Sequence, residues 1–417
     1  MSNLLKIIQS WWHKPTTKLL LLILLVRVGY LLTAWYQLRR GGSLLKTDIL
    51  TFRVVDSGDI LGEYYLFASW CVKYGKIPYL DVPLDYPQLA AYLFLLLYFL
   101  VPSDQLRQLV YVISFGVLQF PLEVLTSLLL FKIVRDLIGG RGAFLISIAY
   151  NLSPIVLYTW VSRFDCILIF FTVLAIYVFL KGRYSLAFLA IGIGTMFKWY
   201  PVLLLLPFLI NLQKRGINSV EIAKSSSAML GFIATTTIPF FASSPSAFLA
   251  SYIYHLGRRW NFESLWAFVA MAIYGKMPHE NAPYEPLSTL SLALQIIAYL
   301  LIFLLPCKSN RQLIKCSAYV LLAFVFLVKF FSPQFVAWVS PFLLMRMQRN
   351  VDWGIYIGMH GSTYLEYPIL WSLRYSLTPP YFYIAVAMRL IFIILALAST
   401  LFSLKSNCSF TFLKKNN

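Results

Sequence analysis

Residues 17–36 read TKLLLLILLVRVGYLLTAWY and form the first of a series of hydrophobic runs along the chain. A helix of about 17–25 apolar residues is long enough to cross a hydrocarbon core about 30 Å thick. No small-residue cleavage site follows this run, so we expect Leu19–Trp35 to be a retained span rather than a signal peptide. The later runs fall near residues 87–102, 107–134, 143–162, 165–180, 184–198, 200–212, 226–242, 287–306, 313–331, 334–347, 352–371 and 381–404.

Composition places the whole chain in a membrane. It is 60% hydrophobic and only 12% charged, whereas soluble proteins have about 25% charged residues. The runs are continuous and lack the alternation of transmembrane β-strands. We therefore predict an all-α polytopic membrane protein. The net charge of +19 is spread over small Lys and Arg groups between the runs, which indicates positive-inside topology rather than a nucleic-acid partner.

The basic groups also predict which runs cross. If every group is cytoplasmic, the number of crossings between neighbouring groups must be even. Three runs precede Lys132, so one of them cannot cross. The run 87–102 is the shortest and follows Tyr86-Pro87, which favours a re-entrant or interfacial helix. About twelve transmembrane helices then remain in a single domain, residues 1–417, with both termini cytoplasmic and a large first external loop at residues 37–106.

The same rule divides residues 184–212 into two short spans hinged at Lys198–Pro201. It also makes residues 243–285 a second external segment, which contains the short apolar run Leu265–Ile273. The five cysteines show neither CxxC nor Cys/His ligand spacing, so we expect neither a disulfide framework nor a zinc site.

Carboxylates are concentrated in the first external loop. The chain has only 16 Asp and Glu residues, and six of them are Asp48, Asp56, Asp59, Glu63, Asp81 and Asp85. If the segment is helical, Asp56, Asp59 and Glu63 share one face. Such a face is compatible with a solvated helix on the membrane surface. It is equally compatible with a general base whose pKa is raised by its neighbours, or with oxygen ligands for a divalent cation.

Other charges also fall on or near the non-cytoplasmic side, where ionisable groups in a helix bundle are functional candidates. Arginine and lysine could bind an anionic headgroup. Each candidate also has a structural interpretation: an ion pair within Arg163–Asp165, a snorkelling side chain at Lys198, and a hydrogen-bonded core histidine at His255. The set comprises Arg163, Asp165, Lys198, His255, Arg258, Arg259, Glu263, Lys329 and Arg374.

Six segments in order carry a resemblance to a known superfamily. They are GDILGEYYLFASWCVKYGKIPYLD (58–81), LDYPQL (84–89), NLSPIVLYTWVSRFD (151–165), FKWYP (197–201), YHLGRRWNFESLW (254–266) and KFFSPQFVAWVSPFLL (329–344). Together they resemble the GT-C integral-membrane glycosyltransferases, in particular the polyprenol-phosphate-mannose-dependent mannosyltransferases and, more distantly, the GPI mannosyltransferases.

The resemblance implies an acid in the first external loop and a second acid at the external end of a later helix. Asp59 best matches the first, Asp165 the second, and Lys198 a lysine before a proline-containing helix. Many relatives have Asp-x-Asp where this chain has Asp59-Ile60-Leu61, with Asp56 upstream. This difference argues against a metal and leaves the choice between Asp56 and Asp59 open. The expected substrate-binding residues are Glu63, Tyr86, Arg163, Lys198, Tyr200, His255, Arg258, Arg259, Lys329 and Gln334.

The expected reaction moves a hexose, mannose by resemblance, from a polyprenyl- or dolichyl-phosphate sugar to a hydroxyl of a glycan or glycolipid on the non-cytoplasmic face. A transporter or flippase for an anionic lipid is the main alternative, although the sequence has no half-to-half repeat. An acyltransferase or ligase with His255 as base is the third. The expected location is a prokaryotic cytoplasmic membrane, with the endoplasmic reticulum as the other candidate.

Overall fold

The computed structural model describes residues 15–42, 45–47, 50–258, 260–275, 285–347, 349–375 and 380–405. The predicted all-α class is confirmed. The helices of the described residues are α1 (Pro15–Arg39), α2 (Leu66–Tyr74), α3 (Gln88–Leu100), α4 (Arg107–Ile138), α5 (Gly140–Leu152), α6 (Pro154–Ser162), α7 (Asp165–Leu180), α8 (Tyr184–Thr195), α9 (Leu205–Lys214), α10 (Ser219–Ser243), α11 (Pro245–Gly257), α12 (Leu265–Tyr274), α13 (Glu285–Leu300), α14 (Asn310–Leu327), α15 (Gln334–Arg346), α16 (Asn350–Tyr364) and α17 (Tyr381–Lys405).

Shorter elements fill the connections. Strands β1 (Leu45–Lys46) and β2 (Thr51–Phe52) pair antiparallel ahead of the loop acids. A π-helical turn, Ile60–Tyr65, leads directly into α2. The remaining turns are 3₁₀ segments at Tyr200–Leu204, Leu301–Leu304 and Trp371–Leu373, and a π-helical segment at Leu365–Ile369.

Every predicted hydrophobic run coincides with a helix. By length and hydropathy, six helices of the described residues could cross a membrane: α1, α4, α10, α13 with its 3₁₀ end, α14 and α17. The bent pair of α5 and α6 makes a seventh. Helices such as α7 and α8 are apolar but shorter. The protein is therefore a multi-pass membrane protein, whereas the count of about twelve crossings remains a prediction.

Two helix breaks next to prolines position residues of the functional site described below. The predicted break within residues 184–212 is confirmed, because α8 ends at Thr195 and helical structure resumes at Tyr200. A Cβ on Gly194 would lie 3.2 Å from the Pro201 ring, so glycine permits this close packing. Ser153–Pro154 likewise separates α5 from α6, which meet at 52°. Proline removes a backbone donor and clashes with the preceding turn, so a straight helix is disfavoured at both points.

A buried ion pair joins the first helices. Arg27 of α1 donates to Glu123 of α4 at 2.7 Å, and both side chains are fully buried. Asn151 of α5 accepts a hydrogen bond from Arg27 at 3.3 Å, and Tyr150 donates one to Glu123 at 3.3 Å. The guanidinium also lies 4.7 Å from the ring centre of Trp160. Charge in the bundle interior is tolerated here because both partners are paired.

The basic groups gather at one end of the bundle. Lys181 follows the last residue of α7 and pairs with Asp136 near the end of α4 at 3.2 Å. Arg311 at the start of α14 donates to the Leu137 carbonyl at 2.8 Å. Lys214 at the end of α9 donates to the Leu305 carbonyl at 2.7 Å. Because α7 runs from Asp165 to this end, Asp165 marks the opposite end.

We predict that Glu123→Ala lowers the free energy of unfolding by about 3–5 kcal/mol, because it leaves the Arg27 charge buried without its partner. The double variant Arg27→Met/Glu123→Leu removes both charges and should recover most of the loss. Thermal unfolding in detergent measures both. The control is Asp136→Ala, which breaks exposed pairs worth about 0–1 kcal/mol. A loss for Glu123→Ala as small as that of the control would contradict the prediction.

Candidate functional site

One cavity collects most of the candidate residues. It has a volume of about 600 Å³ and lies at the end of the bundle where α7 begins. Its walls come from the first loop, the α6–α7 junction, the 198–200 turn, and the segments 255–263, 328–335 and 367–375. The predicted residues on its walls are Asp59, Glu63, Tyr86, Arg163, Lys198, Tyr200, His255, Arg258, Lys329 and Gln334. Residues from far-apart segments are therefore brought into one space.

Arg163 binds two carboxylates at once. Its Nη2 lies 3.3 Å from Asp56 Oδ2 and 2.9 Å from Asp59 Oδ2, while Nη1 donates to the Ser162 carbonyl at 2.6 Å. Arg163 is extended between α6 and α7, since α6 ends at Ser162 and α7 begins at Asp165. The Gln119 side chain donates to the Arg163 carbonyl at 2.7 Å. The guanidinium is thus held in a fixed position under the loop acids.

Asp56 is a buried acid whose carboxylate accepts several hydrogen bonds from the protein. The prediction of a face shared with Asp59 and Glu63 is wrong for Asp56, because it lies before the helical turn in a non-helical segment. Its carboxylate accepts hydrogen bonds from Arg163, the Gly58 backbone and the Tyr367 hydroxyl. Burial by itself would raise the pKa of Asp56, but these partners, Arg163 first, outweigh it and hold the pKa below its usual range.

Asp59 is the more accessible of the two acids. Its side chain is 40% exposed and lines the cavity, whereas that of Asp56 is 10% exposed and does not. One oxygen pairs with Arg163, which leaves the rest of the carboxylate facing the cavity. Of the two loop acids left open by the sequence, Asp59 alone lines the cavity.

Glu63 and Asp85 add further carboxylates to the same wall. Tyr86 donates a hydrogen bond to Glu63 at 3.3 Å. Burial first, and then the negative charges of Asp59 and Asp85, raise the pKa of Glu63 above its usual range. Burial also raises the pKa of Asp85, against the positive charges of His255 and Arg258. Simultaneous ionisation of all the carboxyl groups on this wall is therefore unfavourable.

Asp165 lies behind the cavity wall rather than on it. Its carboxylate is fully buried and accepts hydrogen bonds from Lys198 Nζ at 3.0 and 3.1 Å and from Trp338 Nε1 at 2.6 Å. The catalytic role expected for Asp165 stays a prediction, and the structure places its carboxylate behind the cavity lining with Lys198 and Trp338 as hydrogen-bond donors. Lys198 is the residue that reaches the cavity, with its ammonium 5.1 Å from the Phe164 ring centre.

A second group of cations lies on the 255–258 and 328–335 segments. Lys329 Nζ donates to the Leu256 carbonyl at 2.6 Å, which joins the two segments. The Arg258 guanidinium stacks 3.4 Å from the ring centre of Phe330. His255 Nε2 is 2.6 Å from the Asp85 carbonyl oxygen. Arg259, the remaining candidate here, lies outside the described residues.

A cluster of hydrogen-bonded side chains fixes the cavity wall formed by residues 258–264 and 328–333. Asn261 donates to the Phe331 carbonyl at 2.6 Å and to Glu263, and accepts from the Phe331 backbone at 3.1 Å. Arg389 of α17 pairs with Glu366 at 2.6 Å and donates to the Glu263 carbonyl. These bonds lock the 258–264 segment onto the 328–333 segment, so the cations between them keep their positions.

Several wall residues escaped the sequence interpretation. Trp338 follows Gln334 by four residues on α15, so helical spacing could have indicated a shared face. Arg374 was named among the charges near the non-cytoplasmic side but not among the expected substrate-binding residues. It stacks 4.3 Å from the Trp371 ring centre and donates to the Trp371 carbonyl at 3.0 Å. Tyr367 gave no local signal, because its hydroxyl partner, Asp56, is 311 residues away in the chain.

The acids do not fit a divalent cation. Among the described residues, no group of three or more His, Cys, Asp or Glu side chains is arranged to hold a metal. Between Asp56 and Asp59, where a cation would bridge the carboxylates, the Arg163 guanidinium already contacts both. The positive charge beside the loop acids is therefore supplied by arginine.

Sequence comparisons identify the family. The Mannosyltransferase (PIG-M) family matches residues 162–413, more than half of the chain. The protein belongs to this family. It is also 26% identical to GPI mannosyltransferase 1 of Saccharomyces cerevisiae, in an alignment of 362 positions that covers 80% of each chain. As a member of the PIG-M family it is a membrane glycosyltransferase of GT-C type, which confirms the enzyme class expected from the sequence.

We predict that Glu63→Gln raises the free energy of unfolding at neutral pH. An acid with a raised pKa in the folded state favours the fold when protonated, and this advantage is lost as pH rises through the folded pKa. The uncharged amide removes that loss. Thermal unfolding from pH 7.5 downward should show the gain shrinking as pH approaches about 4.3, the ordinary glutamate pKa. A difference independent of pH would contradict the assignment to ionisation.

Proposed function

We propose that this glycosyltransferase moves mannose from a polyprenyl-phosphate donor to a hydroxyl of a glycolipid on the non-cytoplasmic face of its membrane. One observation carries the proposal: the accessible carboxylate Asp59 shares one cavity with the cations Lys198, Arg258 and Lys329. A sugar-phosphate donor needs both, a base for the incoming hydroxyl and positive charge for the leaving phosphate.

Asp59 acts as the general base. The acceptor hydroxyl gives its proton to the free part of the Asp59 carboxylate, and its oxygen forms a bond to the anomeric carbon of the sugar. The bond from that carbon to the phosphate oxygen breaks in the same step, and the electron pair leaves with the lipid phosphate. One displacement inverts the anomeric centre, which agrees with the resemblance to GT-C enzymes.

The leaving phosphate gains negative charge as the glycosidic bond breaks, and fixed cations stabilise that charge best where water is excluded. Lys198 is held toward the cavity by Asp165, which makes Asp165 a positioning residue for the lysine. Asp56 and Tyr367 hold Arg163, and Arg163 in turn orients Asp59. In this proposal both expected auxiliary acids act through a neighbouring cation rather than on the substrate.

The proposed orientation of the protein in the membrane rests on the position of its basic residues. The basic groups around Lys181, Lys214 and Arg311 lie at the bundle end opposite the cavity. Under the positive-inside rule that end is cytoplasmic, so the cavity faces the other side. The yeast relative is named a GPI mannosyltransferase, which supports a lipid-anchored glycan as the acceptor class. A prokaryotic cytoplasmic membrane is the location that we propose.

We predict that Asp59→Asn lowers mannose transfer by about 10²–10⁴-fold, the range for loss of a general base. The assay incubates membranes with radiolabelled polyprenyl-phosphate mannose and follows label in the glycolipid fraction. Asp81→Asn is the matched control, because Asp81 is an exposed acid of the same loop that binds the Ile77 backbone outside the cavity. Undiminished transfer by Asp59→Asn would exclude Asp59 as the base. Label found only on donor in the opposite leaflet would instead indicate a flippase.

We predict that Lys198→Gln lowers kcat/KM for the donor by about 10²-fold, the effect of removing one preorganised group that stabilises transition-state charge. Lys198→Arg keeps the charge and should recover part of the rate. The control is Lys76→Gln, an exposed lysine of the first loop outside the cavity lining. Equal activity of Lys198→Gln and the control would contradict a role for Lys198 at the phosphate.

A further inference from the structure

A buried glutamine lies beside the break between α6 and α7. Gln119 belongs to α4, the longest of the candidate membrane spans, and its side chain is fully buried. The break is short, because α6 ends at Ser162 and α7 begins at Asp165. The end of one helix and the start of the next leave backbone carbonyls and amides without intrahelical partners. Where such groups are shielded from water, they need partners from elsewhere in the protein.

The Gln119 side chain supplies several of these partners at once. Its Nε2 donates to the Trp160 carbonyl at 3.0 Å and to the Arg163 carbonyl at 2.7 Å. Its Oε1 accepts a hydrogen bond from the Cys166 backbone amide at 3.1 Å. Nε2 also donates to the Phe115 carbonyl of its own helix at 3.2 Å. One side chain therefore joins the last turn of α6 to the first turn of α7 and fastens both to α4.

The chemistry of a primary amide suits this position. An amide presents N–H donors and a carbonyl acceptor in one rigid plane. The end of α6 offers carbonyl acceptors and the start of α7 offers an N–H donor, so the amide satisfies both. A carboxylate of the same size would place oxygens against the carbonyls of Trp160 and Arg163. The spacing between the two helix ends is therefore set by the dimensions of the Gln119 amide.

The two segments that Gln119 joins carry the charged pairs of the site. Arg163, whose carbonyl Gln119 binds, contacts Asp59 with its guanidinium at 2.9 Å. Asp165 directly precedes the backbone amide that Gln119 accepts, and its carboxylate holds Lys198 at 3.0 Å. A shift of either helix end would move the corresponding pair relative to the cavity.

We propose that Gln119 is a positioning residue for both charged pairs, because its amide sets the spacing across the α6–α7 break. The inference rests on the proposed function, in which Asp59 is the base and Lys198 stabilises the leaving phosphate. Gln119 is fully buried and lies outside the cavity lining. It therefore acts on the reaction only through the backbone that it holds.

A matched control lies at the opposite end of the bundle. Asn211 of α9 is also a fully buried amide. Its Nδ2 donates to the Cys307 carbonyl at 2.8 Å and to the Lys308 carbonyl at 3.1 Å, in the connection that precedes α14. Lys214 of the same helix belongs to the basic groups at that end. Loss of the Asn211 amide thus disturbs a comparable helix connection that is remote from the cavity.

The first test compares the two amides in folded protein, well below the unfolding temperature of each variant. Gln119→Met keeps the side-chain length without the hydrogen bonds, and Asn211→Leu removes the control amide. We expect kcat/KM for the donor to fall about 10²-fold in Gln119→Met, the cost of misplacing a catalytic group by about 1 Å, and to stay within about twofold in Asn211→Leu. Equal falls in both variants would overturn the inference. Gln119→Asn, which keeps the amide but shortens its reach, replaces Gln119→Met if that variant does not fold.

A double-mutant cycle separates positioning from a general loss of stability. Residues that act as a unit in catalysis have non-additive effects. The fold-loss caused by Gln119→Met should therefore be at least about twofold smaller in an Asp59→Asn background than in an Asp81→Asn background, which corresponds to the lower end of coupling within one network. A purely structural role would give the same fold-loss in both backgrounds, and that result would overturn the inference.

Hydrogen exchange tests the same coupling without any transfer assay. The Asp56 amide donates to the Ser162 hydroxyl at 2.9 Å, and the Gly58 amide donates to the Asp56 carboxylate at 2.9 Å. If Gln119 holds the end of α6, these first-loop amides should exchange about two- to tenfold faster in Gln119→Met, the effect of weakening local opening by roughly one hydrogen bond. They should exchange at the unmodified rate in Asn211→Leu.

The exchange result distinguishes this inference from the proposed function. Faster loop exchange in Gln119→Met alone supports the positioning role of Gln119 even if the unmodified protein transfers no mannose, in which case only the proposed function fails. Unchanged loop exchange in folded Gln119→Met overturns the inference even if the unmodified protein transfers mannose.

Discussion

The double ion pair of Arg163 with Asp56 and Asp59 is the interaction on which the site depends. It links the α6–α7 junction inside the bundle to the first loop at its surface. Without it, Asp59 would be an ordinary loop carboxylate with no fixed relation to the helices. The proline at Pro154 bends the chain so that α6 delivers Arg163 to this point. The position of the proposed base, Asp59, is thus set by a helix break.

A common arrangement recurs through the site: a buried acid holds a cation that reaches the cavity. Asp165 holds Lys198, and Asp56 holds Arg163. A cation facing a cavity near a membrane would otherwise follow water along its flexible stem. The buried acid limits that movement, so in the proposed function the positive charge is already in place when the donor phosphate binds. Preorganised charge of this kind stabilises a transition state without reorganisation during the reaction.

The sequence predicted more of the fold than of the site. Each hydrophobic run became a helix and the break near Pro201 was anticipated, because span length and proline chemistry act locally. Most candidate residues proved to share one cavity, since topology had already placed them at one end. The roles of Asp56 and Asp165 could not be predicted. Both depend on donors far away in the chain, Tyr367 for Asp56 and Trp338 for Asp165.

The sequence by itself determined the membrane class, the helical runs, the concentration of acids in the first loop and the grouping of basic residues. These properties follow from bilayer thickness and from charge at helix ends, which any short window of residues displays. Only the tertiary structure decided that Asp59 faces the cavity while Asp56 and Asp165 lie behind it. The physical reason is that an acid's exposure and partners depend on which distant helices pack around it.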